Sequence, residues 1–457
     1  MLTIKKIILV WSIIAVSAGI VFSQSDTLWV KAIGGAQFEQ AAEIIPCDAG
    51  GYAWVGTTGS NETGNTEILV ARLDAELNCM WTANFGGSDV DWGLGITEDW
   101  SGNLLITGYT LSLGAGSYDI LVMKISPAGE LMWQQTYGGA DWDFGKKIVR
   151  HPQGGFLVSG TTYSNGNGGQ DGTILHIDGQ GVLLNQWYIG GSENDAIHDV
   201  MPVNDGWIAC GYETINNVMK STVWRFDFNG NEVWTRTMDD PYGFDREALA
   251  MTLDTAFLFI TGPVYADGIT HSFELQLGLD NAVFYEVLEE NNFDANYYDC
   301  VQHNGEVVYA GSKSLSGIEL GRVVRKRTDT AFTGAFEFTG QHRTRFLCAF
   351  WNDEGLVLCG GFQPEQSENW QALVVKYTSP ILNEVSTEPE LIPCFTVGID
   401  EAERVSSGEW GRVYNVTGQL VHERFQWVSP TTQSDLSAGL YVFQSLDGLR
   451  SQAFAVH

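Results

Sequence analysis

The sequence predicts an all-β fold, a seven-bladed β-propeller of four-stranded blades followed by a small C-terminal β-sandwich. Three observations carry this. First, a short strand ending in glycine recurs as YAWVG, LLITG, FLVSG, WIACG, LFITG, VVYAG and LVLCG. Its glycines are 56, 108, 160, 211, 262, 311 and 360, at intervals of 52, 52, 51, 51, 49 and 49 residues. A repeat so steady and so long is the signature of stacked supersecondary units. Second, each unit divides into four strands. In the third unit they are GKKIVRHP, FLVSGTT, GTILHID and LLNQWYIGG, separated by the turn QGG, the loop YSNGNGGQ and the turn GQGV. Alternating apolar residues between Gly-, Asn- and Asp-rich turns suit antiparallel hairpins. Third, the last unit stops after three strands, whereas an orphan fourth strand, DTLWVKAIGG, precedes the first unit. That strand can complete the last blade, closing the ring and leaving no open sheet edge.

The elements follow in chain order. The stretch MLTIKKIILVWSIIAVSAGIVFSQ has a basic start at Lys5 and Lys6, an apolar run, and small residues before a cut after Ser23. Residues 1–23 are therefore expected to be a secretory signal peptide. No Cys sits at the cut, so a lipid anchor is not expected. No later run is long enough to span a bilayer as a helix. The propeller is assigned to residues 24–379. The aromatics Trp29, Trp81, Trp133, Trp187, Trp234 and Phe284 recur on the outer strands and are read as wedges between blades. The segment TSPILNEVSTEPELIP, with three Pro, marks a linker assigned to residues 380–393. Residues 394–457 form the C-terminal β unit, with one hairpin in GRVYNVTGQLVHE and another in LSAGLYVFQSLDGLRSQAFAVH.

Composition bounds the partners. The formal net charge is −32, with 24 Lys and Arg against 56 Asp and Glu. Nucleic-acid binding needs clustered cations, so it is excluded, and docking on anionic lipid is disfavoured. The charge suits solubility in an external medium. The seven Cys are not spaced as a disulfide framework. In FLCAFWNDEGLVLCGG, however, Cys348 and Cys359 face one another across a hairpin. They are read either as a disulfide or as two buried thiols.

Two resemblances extend this reading. The repeat pattern W…YGG…D…G…DILV.KI…G…W resembles the bacterial β-propeller repeat proteins of the SBBP kind, over about 350 residues. That resemblance implies a fold and no single activity. The pieces VYNVTGQLV and DLSAGLYVF, with a last strand at the chain end, resemble the C-terminal sorting domain of type IX secretion substrates from the Bacteroidetes group. This resemblance implies that residues 394–457 engage the type IX secretion machinery. It also implies that the protein is released outside the cell or attached to the outer cell surface.

Candidate functional residues lie on one face. In a blade of this order, the loops between the second and third strands share a face with the junctions between blades. Those loops are long and polar, as in TTGSNETGNT, YTLSLGAGSY and TTYSNGNGGQ, and binding concentrates on such loops. Counting back 17 residues from the strand glycines gives Glu39, Asp91, Asp143, Asp245, Asp294 and Arg343; blade four gives Asp195 at 16. The acids are read mainly as caps of their own loops and secondly as a carboxylate ring. No cofactor is identified, and Ca²⁺ is the ion such a ring would take. Trp92, Trp142, Arg343, His198 and His342 break the repeat and are better ligand candidates than the acids, although packing under the loops is the commoner role for such aromatics. HExxH, GxSxG, zinc spacing and a complete calcium loop are all absent. The expected function is thus non-catalytic binding or adhesion of an extracellular carbohydrate or protein. The alternatives are a hydrolase or lyase acting on polysaccharide or peptide, and a structural surface-layer component.

Overall fold

A computed structural model describes residues 28–377, except 34–36, 60–63, 240–242, 290–292, 316, 328–332, 338–342 and 365–368, together with strands beyond that span. The signal-peptide segment and His342 lie outside the described residues. Seven antiparallel blades form a β-propeller. Blade 1 is Glu39–Pro46, Tyr52–Thr58, Glu67–Leu73 and Cys79–Phe85. Blade 2 is Asp91–Glu98, Leu104–Thr110, Asp119–Ile125 and Leu131–Tyr137. Blade 3 is Asp143–Arg150, Phe156–Thr162, Asp171–Ile177 and Leu183–Ile189. Blade 4 is Ala196–Val203, Gly206–Ile215, Val218–Asp227 and Glu232–Thr237. In blade 5 the inner strand is broken into Asp245–Arg246 and Ala250–Leu253, ahead of Phe257–Ala266, Ile269–Gly278 and Val283–Glu289. Blade 6 is Asp294–His303, Glu306–Leu315, Ile318–Arg327 and Thr333–Glu337. Blade 7 is Arg343–Asn352, Gly355–Gln363 and Gln371–Tyr377, completed by Leu28–Ile33.

The ring closes as the orphan strand predicts. Leu28–Ile33 pairs antiparallel with Gln371–Tyr377, from Leu28 opposite Tyr377 to Ile33 opposite Ala372. Blade 7 then packs on blade 1 through a shared core that includes Ile44, Trp54, Val357 and Val374. Within the segment read as a linker, Glu390–Leu391 adds a short parallel strand to the closing strand. The second strands of blades 1 and 3, Tyr52–Thr58 and Phe156–Thr162, are buried along their whole length. This explains why their sequences run apolar instead of alternating: both faces meet a neighbouring blade. The C-terminal residues contribute a four-stranded sheet. It pairs Trp410–Asn415 with Leu420–Gln426 and Gly439–Ser445 with Ser451–Val456, the two hairpins read from the sequence.

The outer-strand tryptophans reach across to the next blade. Trp81 donates its indole N–H to Pro127 O at 3.1 Å, Trp133 to Gly179 O at 3.3 Å, and Trp234 to Leu279 O at 3.1 Å. Each ring covers a turn of its neighbour, burying apolar area while its one polar atom finds a carbonyl. In blade 4 the covered turn contains Gly230 at φ +79°, and a Cβ there would lie 2.0 Å from Trp187 Nε1. Side chains on Trp29 and Phe284 lie outside the described residues.

Cys348 and Cys359 do face one another in register, but both are free buried thiols. The disulfide alternative is thereby corrected, consistent with the strain of bridging directly opposed strand residues. Cys79, which carried no such expectation, is disulfide-bonded.

Gly230→Ala is expected to cost about 2–4 kcal/mol, because a left-handed backbone and a collision with Trp187 add together. Gly154, at φ +105° with no atom within 4 Å of its Cβ position, provides the comparison. Gly154→Ala should cost only about 1 kcal/mol. Urea unfolding of both variants checks this, and equal losses would refute the wedge.

Candidate functional site

The acids at the blade junctions occupy the starts of the inner strands, as the spacing predicts. They do not converge on one another. Asp91 Oδ2 accepts Gly87 N at 2.8 Å and the Ser112 hydroxyl at 2.8 Å. Asp143 Oδ2 repeats this with Gly139 N at 2.9 Å and Ser164 at 2.7 Å. Asp195 takes Gly191 N at 2.5 Å and Thr214 N at 2.8 Å, and Glu39 takes the Thr58 hydroxyl at 2.9 Å. These four are buried. Asp245 and Asp294 instead accept Met219 N and Thr270 N, each at 2.8 Å, from the hairpin of the preceding blade. Arg343 is exposed and reaches Gly317 O at 3.5 Å. The five aspartates therefore accept backbone donors of a junction or hairpin, and Glu39 accepts a hydroxyl of its own blade, which is how carboxylates at such positions are satisfied. Among the described residues no group of three or more His, Cys, Asp or Glu side chains is arranged to hold a metal ion.

The same face carries a continuous aromatic band. Phe38 lies 6.1 Å from Trp92, which stacks on Tyr109 at 6.1 Å and 9°. Tyr109 meets Tyr118 at 5.4 Å and Phe144 at 5.0 Å, both edge-on. Trp142 contacts Tyr118 and Phe144 at 6.4 Å and Tyr163 at 5.8 Å. Seven rings thus link blades 1 to 3. Trp92 is half-buried within the band, whereas Trp142 is 49% exposed and Tyr163 is exposed at its end. The long loops of these blades leave the band accessible. Blades 4 and 5 are built differently there. Their second and third strands meet in two-residue turns with positive φ at Asn216 and Asn217 and at Asp267 and Gly268, the geometry that hairpin twist favours.

Past Tyr163 the band gives way to polar groups at the mouth of the central channel. The Tyr163 hydroxyl donates to Gln170 Oε1 at 2.5 Å, and Gln170 Nε2 donates to the Tyr212 hydroxyl at 3.0 Å. The Tyr212 ring lies 5.9 Å from His198. His198 Nε2 pairs with Glu247 Oε2 at 2.8 Å, and the Tyr265 hydroxyl donates to Glu247 Oε1 at 2.5 Å. Burial alone would raise the Glu247 pKa, but its bonds to His198 and Tyr265 and the nearby Lys146 together hold it below the usual range. Burial pushes the Tyr212 hydroxyl up to about 12.

Deeper in the channel the inner strands are bulged. The register slips by one residue at Ala42, Leu94, Lys146, His198, Tyr298 and Leu347. In three blades the residue after the slip is a carboxylate that accepts a backbone N–H of the neighbouring blade. Glu43 Oε2 accepts Ile96 N at 2.7 Å, Asp199 Oδ2 accepts Met251 N at 3.0 Å, and Asp299 Oδ2 accepts Ala349 N at 2.8 Å. Lys147 forms an ion pair with Glu43 across two blades. Burial disfavours its charge, yet Glu43, Asp199 and Asp299 outweigh that and hold its pKa well above the ordinary value. Asp199 is pushed up to about 6, by burial first and then by Asp299 and Glu43, against the opposing Lys147.

Of the residues singled out in the sequence, Trp92 and Trp142 lie in the aromatic band and His198 pairs with Glu247. It missed Glu247, Tyr265, Lys146 and the channel quartet Glu43, Lys147, Asp199 and Asp299. Their one signal is that the residues beside the bulge differ from blade to blade while the strand glycine does not.

No protein-family model and no curated protein matches this chain. Among solved structures it is similar to Sqt1 from Chaetomium thermophilum, at 11% identity and TM-score 0.45, over 77% of this chain and 100% of that one. The β-propeller domain of the Trilobed protease from Pyrococcus furiosus aligns at 9% and 0.46, over 75% and 94%. Synechocystis apocarotenoid oxygenase aligns at 10% and 0.42, over 82% and 96%. At these identities the likenesses carry nothing about what this chain does.

Asp199 gives a test of the channel. Its folded pKa of about 6 lies above the roughly 3.9 of an unfolded aspartate, so the folded state holds a proton that the unfolded chain has released. That contribution is full below about pH 4 and lost as pH rises through about 6. Asp199→Asn should therefore flatten part of the fall in melting temperature between about pH 4 and about pH 6. Superimposable pH profiles for variant and wild type would refute the assignment.

Proposed function

We propose that this chain is an extracellular, non-catalytic propeller that binds carbohydrate across the aromatic band of blades 1 to 3. The band is the observation that carries the reading. Sugar rings have an apolar face and a hydroxyl edge, and exposed aromatic rings beside hydrogen-bonding side chains match both. Trp142 and Tyr163 supply the rings. Ser112, Ser164, Asn165 and Gln170 line the loops beside them. The junction acids are left out of this reading, because each already accepts a hydrogen bond within the fold. Export by the type IX route, with residues 1–23 as leader and residues 394–457 as sorting signal, rests on the two terminal segments. The net charge of −32 agrees with an external location.

One observation favours cleavage of the bound chain as a second reading. Glu247 orients His198 at 2.8 Å, the arrangement of a positioned general base. The band spans three blades and seven rings whereas this is a single pair, so binding is the stronger reading. Incubation with a polysaccharide panel should release no new reducing ends; release that disappears in His198→Ala would reverse the order of the two readings.

Trp142→Ala and Tyr163→Ala should each weaken glycan binding by roughly tenfold or more in calorimetry, as loss of a central aromatic contact does. The melting temperature should change little, since both rings are exposed. Undiminished affinity in both variants defeats the band. Mass spectrometry of the protein recovered outside the cell should show a mature start near Gln24 and loss of residues 394–457. An intact terminus at His457 would remove the sorting assignment.

A further inference from the structure

Two junctions between blades bring buried carboxylates together in pairs. Where blade 3 meets blade 4, the Cβ position of Gly190 lies 2.4 Å from Asp195 Oδ2 and 2.7 Å from Asp171 Oδ1. Where blade 2 meets blade 3, that of Gly138 lies 2.6 Å from Asp143 Oδ2 and 2.4 Å from Asp119 Oδ1. In each pair a junction acid meets the acid that opens the third strand of the blade before it. All four side chains are at most 1% exposed. Backbone donors serve most of their oxygens. Asp171 Oδ2 accepts Asn167 N and Gly168 N at 2.9 Å, and the two Asp195 oxygens accept Gly191 N and Thr214 N. Asp171 Oδ1, on the side of Asp195, is buried with no hydrogen-bond partner. No Lys, Arg or His acts on Asp119 or Asp195. Burial raises the pKa of both, and the facing carboxylate, Asp143 or Asp171, adds to the rise against the backbone donors.

Buried carboxylates side by side repel unless a proton or a cation lies between them. We propose that the two junctions are divalent-cation sites of the Ca²⁺ type, one built on Asp171 and Asp195 and the other on Asp119 and Asp143. The orphan Asp171 Oδ1 carries the assignment, because a buried carboxylate oxygen without a donor needs a positive partner. The hydrogen bonds to the other oxygens do not compete, since each oxygen has more than one lone pair. Main-chain oxygens adjoin the same loops. Gly168, which donates to Asp171, has Glu193 O 2.3 Å from its Cβ position. Gly116, which donates to Asp119, has Ala140 O and Gly139 O at 2.5 and 2.7 Å from its own. Among the described residues no third His, Cys, Asp or Glu joins either pair. An irregular set of carboxylate and carbonyl oxygens suits Ca²⁺, whereas Mg²⁺ demands a near-regular octahedron with several waters and zinc takes His or Cys. The strand register adds a contrast. Blade 4 has Lys220 where blades 2 and 3 have Asp119 and Asp171, and that lysine pairs with Asp239 at 2.6 Å. The blade with the short turn thus carries its own cation, and the blades with long loops carry paired acids in its place.

The test uses the whole chain, stripped with a chelator and then titrated with Ca²⁺ or Mg²⁺. Ca²⁺ should raise the melting temperature by several degrees, and calorimetry should count two ions per chain, with Mg²⁺ bound about tenfold or more weakly. Asp171→Asn should leave one ion, and Asp119→Asn combined with it should leave none. In chelator these variants should melt at or above the wild type, because an amide relieves the repulsion. In Ca²⁺ they should melt below it. That reversal of order separates a cation site from simple damage to a loop. A wild type indifferent to Ca²⁺ overturns the proposal; Asn variants that still gain stability at neutral pH would then assign a shared proton to the pairs. A Ca²⁺ response that survives in the double variant places the ions on the acidic surface and overturns it equally. Variants that melt below the wild type by the same margin with and without Ca²⁺ reduce the acids to loop caps, which also defeats the sites.

Discussion

The ring depends on hydrogen bonds that cross from blade to blade at the central axis. A propeller packs its inner strands edge against edge, where backbone groups of one blade face side chains of the next. In this protein the bulge solves the problem. It presents a carboxylate from one inner strand to a backbone N–H of the following one, as Glu43 does for Ile96, Asp199 for Met251 and Asp299 for Ala349. Buried carboxylates in such proximity would repel, and Lys147 is what makes the arrangement tolerable. Truncating that lysine would leave several buried negative charges with no cation, a worse outcome than losing any one carboxylate.

The consequence is a division of labour along each repeat. Positions that recur serve the blade. The strand glycine lets a neighbouring carbonyl approach: at Gly108 a Cβ would lie 1.8 Å from Trp92 O, and at Gly160 it would lie 2.0 Å from Phe144 O. The junction acid accepts a donor of its own junction, of a neighbouring strand or of the preceding hairpin, and the outer tryptophan covers the next turn. Positions that vary are free of these duties. Trp92, Phe144 and Glu247 follow the junction acid in blades 2, 3 and 5, and they give the face its chemistry. Variation is thus confined to the few places where blade physics makes no demand.

This division also explains what was legible in the sequence. Period, strand order, ring closure and the tryptophan wedges could be read because each rests on a pattern repeated many times. The two C-terminal hairpins could be read from alternation and turn residues alone. The paired thiols Cys348 and Cys359 were placed in register correctly, since a hairpin fixes register locally. The mouth could not be read. His198 and Glu247 are 49 residues apart, and Lys147 and Glu43 are 104 apart. Only ring closure brings them together, and the bulge that aims them leaves no mark in composition. Glu247 in particular sits where the blade 5 inner strand breaks, outside any strand pattern.

The face is lopsided for a related reason. Blades 1 to 3 keep long loops anchored by acids such as Asp119 and Asp171, which accept Ala115 N and Asn167 N at 2.9 Å. Loops of this kind bend away and leave the rings beneath them open. Blades 4 and 5 replace them with strands of ten residues ending in tight turns, which stand as a wall. The face is thus asymmetric, with aromatic rings beside the loops of blades 1 to 3 and long hairpins in blades 4 and 5.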